Sequence, residues 1–222
     1  GSQLQTLGYT AFETQDLFLF GTPLEAGYSA VFITLGMYGN ENYVLDDASV
    51  EVGAIAAYAA AGGALYMEGG DTWAANTQTA VHSFFGIDGT SDGGDDLSLV
   101  EGEALVDGLD YPYYGFNNDV DHLAPFSVDA FVLHTNPADG EPCGIANLTP
   151  GANTIGTSFE FGGLTDSINN VSVLLQGYVD FLAMEYTDIW PPVVSSVTRF
   201  NFTMETELPY NIQAYVDDNV GV

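Results

Sequence analysis

One short turn carries the most suggestive chemistry in this 222-residue chain: Glu68, Gly69, Gly70, Asp71 and Thr72, between the apolar run at 64–67 and Trp73. A sharp polar turn after a buried strand is where α/β hydrolytic folds hold a nucleophile, and that nucleophile needs a thiol or hydroxyl with a base beside it. No Cys or Ser occupies the tip, and Thr72 lies beyond it. Cys143 falls far along the chain, and His82, His122 and His134 have no nucleophile in an obvious partner position. What remains is carboxylate chemistry. Glu68 and Asp71 make an acid pair of the type that hydrolyses glycosides. Glu160, alternating with Phe159 and Phe161, is a third acid able to meet them. A plainer reading is favoured. Glu68 satisfies backbone amides of the glycine turn, Asp71 caps the next segment, and Trp73 packs over the turn rather than stacking on a sugar.

A second group of acids suits metal binding. Asp88, Asp92, Asp95 and Asp96 lie on a glycine-rich stretch and offer the oxygen ligands that calcium prefers. The spacing departs from the twelve-residue EF-hand loop, and a solvated acidic loop is the favoured alternative. Within 116–125, Asn118, Asp119, Asp121 and His122 either line a pocket or only build a turn. Trp73, Asn118, Asp121 and His122 are therefore the candidate ligand-binding residues, and calcium is the cofactor expected; the sequence shows no nucleotide or flavin signature.

Thirty-one acids stand against one base, Arg199, for a formal charge of −30, yet charged residues make up only 14% of the chain. A typical domain holds about 25%, so the acids are not unusually many; the bases are missing. Nucleic acid is excluded as a partner, because phosphate contacts need Lys or Arg. Anionic membranes are excluded on the same ground. High salt, a calcium-rich extracellular medium or a cation-bridged assembly would each relieve the self-repulsion. No apolar run reaches the roughly 18–20 residues of a membrane span. A single cysteine allows no intrachain disulfide, and glycosylation sequons start at Asn147, Asn170 and Asn201.

The elements that must position these residues read as follows. A helix end precedes Gly8, and a strand follows at 9–14. Residues 27–36 and 64–70 are continuous apolar strands, as expected when both faces are covered. Residues 46–63 read as a helix, with Asp46 or Asp47 as its cap and Gly62-Gly63 closing it. A short helix, capped by Asn76, is expected over 76–86. Loops and short strands fill 87–128, and strands follow at 130–135, 143–148 and 153–161. Residues 166–184 form a helix whose apolar stripe is 171, 174, 175, 178, 181 and 182. The Pro pair at 191–192 marks a linker. Strands within 197–203 and 210–222 then begin a β-sandwich or are exchanged with another chain. The expected fold class is thus α/β, a doubly wound, mostly parallel sheet over 1–188 whose first strand would lie ahead of Ser2, followed by a C-terminal β segment over 193–222.

The blocks at 30–45, 56–73, 80–89 and 154–164 resemble a flavodoxin-like domain related to the class I glutamine amidotransferases. That domain occurs in large, secreted, multidomain bacterial proteins associated with type IX secretion, and the tail resembles the start of an immunoglobulin-like module. The resemblance implies the fold and an extracellular or cell-surface location. It does not imply the thiol chemistry, because the elbow lacks the cysteine. The expected function is a non-catalytic structural, adhesive or binding domain whose partners are neighbouring modules of its own polypeptide. The alternatives are a self-assembling homo-oligomer or filament built by strand exchange, and an extracellular hydrolase using Glu68, Asp71 or Glu160.

Overall fold

The computed structural model describes residues 2–36, 45, 48–75 and 77–185, together with the backbone of 193–195 and 215–217. Its helices are α1 (Ser2–Thr6), α2 (Pro23–Ala26), α3 (Val50–Ala60) and α4 (Val171–Leu182). The strands are β1 (Ala30–Thr34), β2 (Ala64–Glu68), β3 (Ile87–Ser91), β4 (Leu99–Gly102), β5 (Tyr111–Pro112), β6 (His122–Pro125), β7 (Ala130–Thr135), β8 (Pro142–Asn147), β9 (Thr154–Thr157), β10 (Val193–Ser195) and β11 (Tyr215–Asp217). The chain divides into two units, Gly1–Met184 and Glu185–Val222.

Seven strands of the first unit form one sheet in the order β1-β2-β9-β8-β7-β4-β5. Only the β1-β2 and β2-β9 pairs are parallel; β9-β8, β8-β7, β7-β4 and β4-β5 are all antiparallel. This overturns the doubly wound, mostly parallel expectation: the described residues are mostly β, with four short helices and a mixed sheet. Parallel neighbours need a long crossover, usually helical. Between β7, β8 and β9 the chain offers only turns, so those strands fold back on one another. β3 and β6 form a separate antiparallel ribbon.

Two further expectations fail nearby. Residues 9–14 form no strand, and 77–86 hold only a turn of 3₁₀ helix over His82–Phe84. The His82 ring explains the second failure. Its Nδ1 accepts the Thr79 N–H at 2.9 Å and its Nε2 lies 3.0 Å from the Thr72 carbonyl, so the side chain ties up the backbone that a helix would use. Asn76, expected to cap that helix, lies outside the described residues.

The sheet is buried on both faces. Under one face α4 packs Leu174, Tyr178 and Phe181 against Tyr66, Val100, Leu133, Ala146 and Ile155. Under the other, Ile55 and Tyr58 of α3 join Trp73, Phe85, Ile87 and Leu123 against Leu65, Met67 and Ile145. Successive side chains of β2 therefore enter opposite cores, and all five of its residues are buried. The α4 stripe at 171, 174, 175, 178, 181 and 182 is buried as its spacing requires. Asn170 caps that helix, its side chain accepting the Ser172 N–H at 2.8 Å. α3 is capped by Ser49, which accepts the Val52 N–H at 3.2 Å; Asp46 and Asp47 lie outside the described residues.

In the second unit, β10 and β11 pair antiparallel over three residues each. The strand expected within 197–203 and the Pro pair at 191–192 lie outside the described residues.

Candidate functional site

Glu68 ends β2, next to the C-terminal end of β9, and is 7% exposed. Its Oε2 accepts the Tyr66 O–H at 2.6 Å and the Phe161 N–H at 2.8 Å. Burial raises its pKa above the usual carboxylate value; the two hydrogen bonds pull the other way, and Glu160 adds to the rise. Glu160 is half-buried and also raised by burial. Glu68 and Glu160 are thus brought near each other, as expected. The amides of the glycine turn go elsewhere: Gly69 donates to the Thr157 carbonyl at 3.2 Å and Gly70 to the Gly36 carbonyl at 3.4 Å. Glu68 instead holds the segment that follows β9.

The next segment is capped across the chain. Asp121 is fully buried, and its Oδ2 accepts the N–H groups of Trp73 and Ala74 at 2.7 and 2.8 Å. This is the role foreseen for Asp71. Trp73 is buried, donates from Nε1 to the Thr157 carbonyl at 3.0 Å, and packs edge-on to His82 and Phe85. It packs over the turn and offers no face to a sugar.

Three carboxylates meet beside this cap. One oxygen each of Asp71, Asp92 and Asp121 lies within 4.8 Å of the other two. Burial, and then the charges of Asp71 and Asp92, push the Asp121 pKa up to about 6 against the pull of its two backbone hydrogen bonds. Burial, Asp92 and Asp119 raise Asp71. Of the four acids expected to bind metal, only Asp92 joins this group. Asp88 is exposed on β3, Asp95 lies in a backbone bridge to Asp119, and Asp96 accepts the Asn136 side-chain amide at 2.9 Å. His122 is engaged by Ser91 at 3.0 Å and Asp139 at 2.8 Å. Asn118 is half-buried, its carbonyl accepting the Leu97 N–H at 3.2 Å. The candidate ligand-binding set is therefore split: Trp73 and Asp121 are joined, and His122 is turned to other partners.

Sequence reasoning missed a line of polar groups inside the α4-side core. Tyr66 packs against Tyr178 with ring centroids 5.6 Å apart, and the Tyr178 hydroxyl lies 2.6 Å from His134 Nε2. Burial pushes the His134 pKa down to about 3, so its ring is neutral. The period-2 rule places Tyr66 and Glu68 on one face of β2, and that signal was readable. The Cys143 thiol is buried and its pKa is raised, chiefly by that burial, so it is no nucleophile.

No family model and no curated protein matches the chain. Among solved structures, the cold-adapted β-galactosidase from Rahnella sp. R3 is similar at a TM-score of 0.42 and 16% identity, over 72% of this chain and 23% of that one. The chain thus spans less than a quarter of that enzyme's length. No helix among the described residues is long and apolar enough to cross a membrane.

Proposed function

We propose that this chain is a non-catalytic structural or binding module of a secreted or cell-surface protein. The observation that carries the reading is the fate of Glu68. The acid best placed for catalysis spends one oxygen on two hydrogen bonds, which fasten β2 to the segment after β9. The turn beyond it supplies no thiol or hydroxyl at its tip, Cys143 is buried and protonated, and the neutral His134 contacts a tyrosine. An outer surface rich in carboxylates and without lysine suits a medium that supplies cations.

The experiment is a turnover assay on a panel of aryl glycosides and peptide nitroanilides, with wild type, Glu68→Gln and Glu160→Gln side by side. All three are expected to match the buffer blank. Turnover by wild type that either substitution abolishes, in a protein with unchanged far-ultraviolet circular dichroism, would overturn the proposal in favour of a carboxylate hydrolase.

A further inference from the structure

We infer that Asp71, Asp92 and Asp121 form a binding site for a hard divalent cation of the calcium class, one that pins three separate segments of the chain together. Asp71 comes from the turn after β2, Asp92 from the loop after β3, and Asp121 from the residue before β6. Gly93 sets the approach of the second segment. A Cβ there would lie 2.2 Å from the Val120 carbonyl, so only glycine lets this loop lie against the backbone beside Asp121.

A cluster of acids is common on such a surface, but two features single this one out. Asp121 is fully buried and its Oδ1 has no hydrogen-bond partner, although Oδ2 has two. An ionised carboxylate oxygen held away from water without a donor is costly. The neighbouring Asp119 also has a buried Oδ1 with no partner. No Lys or Arg occurs before Arg199, and the nearby His122 ring is held by Ser91 and Asp139, so neither Asp121 Oδ1 nor Asp119 Oδ1 has a hydrogen bond from it.

The ion class follows from the donors. The three oxygens fall within 4.8 Å of one another, close enough for one ion to bridge them. An all-carboxylate set favours a hard ion over zinc or copper, which seek nitrogen and sulfur. Three carboxylates crowd the water-rich octahedron that magnesium prefers and suit calcium's larger, looser shell. This inference goes beyond the proposed function and stands whether or not the Glu68 turn is catalytic.

The test is calorimetric titration of EDTA-stripped, desalted protein with CaCl2 at constant ionic strength, paired with thermal melts. Wild type is expected to bind one calcium ion per chain with a dissociation constant at or below about 1 mM, the range of extracellular sites, and to melt higher in calcium. Asp92→Asn is the main variant, because Asp92 is exposed and its loss does not threaten folding. It should weaken binding at least about ten-fold, which is about 1.4 kcal/mol. In EDTA it should melt no lower than wild type, since it relieves repulsion. Asp71→Asn should behave alike, while Asp88→Asn and Asp95→Asn should leave binding unchanged. Equal calcium affinity in wild type and Asp92→Asn, no saturable binding to wild type, or tighter binding of magnesium than calcium would each overturn the assignment.

Discussion

Glu68 shows how one residue can be placed correctly by sequence and still be read incompletely. Its position at the end of a buried strand was legible. Its partners were not, because Phe161 is 93 residues away in the chain and the bond is to a backbone N–H. The raised pKa has a definite sign in stability. A carboxyl that holds its proton more readily when folded loses stability as pH rises from its unfolded value of about 4.5 through its folded value. Glu68→Gln imitates the protonated acid, so its unfolding free energy relative to wild type should grow as pH is raised from about 4.5 toward neutrality and then level off. Urea titrations across that range check this. Gly156 is a second decisive residue. A Cβ there would stand 2.4 Å from Ile87 Cδ1 and 2.6 Å from the Trp73 ring. Gly156→Ala should cost about 1–3 kcal/mol by overpacking, read as a lower urea midpoint with unchanged slope.

Among the elements, α4 and β7 were legible to within a few residues, because an apolar stripe of period 3.6 and a continuous apolar run are local signals. Strand direction was not. Parallel and antiparallel central strands carry the same apolar run when both faces are covered, and only the connections distinguish them. The supposed helix over 76–86 misled most, since its own His82 side chain holds the backbone in a tighter turn. The ends of α4 also depend on distant groups. Asn153, at the start of the β9 region, donates from its amide to the Phe181 and Met184 carbonyls at 3.1 and 2.6 Å. The Phe181 carbonyl lies in the last turn of α4 and the Met184 carbonyl just beyond it, so this one amide fastens the end of the helix. Asn153→Ala should therefore cost about 1–3 kcal/mol and speed amide hydrogen exchange in the last turn of α4 ahead of the rest of the helix. The sequon at Asn147 illustrates the same dependence on tertiary context. Its side chain is 3% exposed and donates to the Phe84 carbonyl, so it is closed to glycosylation; Asn170, the α4 cap, is exposed.

For the whole molecule, charge and burial set opposing responses to solvent. With a formal charge of −30, raising NaCl from about 0.1 to about 1 M shortens the screening length from about 10 to about 3 Å and should raise the melting temperature steadily. A melt that ignores salt would show that the carboxylates are already neutralised. Acid acts through His134. Its folded pKa near 3 lies below the ordinary 6.5, so the unfolded chain binds the proton first and this residue's contribution to stability is lost as pH falls below about 6.5, against the opposite trend of the raised carboxyls. The slope is about 1.4 kcal/mol per pH unit, and His134→Gln should remove it even if the variant starts less stable.

The two margins of the large sheet are not equivalent. On its outer side β5 is already occupied: Tyr114 donates to the Gly163 carbonyl at 2.8 Å and Thr165 to the Pro112 carbonyl at 3.1 Å. At the opposite margin, among the described residues, β1 pairs only with β2. A sheet blunted on one side can be extended on the other side only. If copies of this chain join through the margins of this sheet, they meet β1 to β1 as a closed, two-fold symmetric couple, and growth ends there.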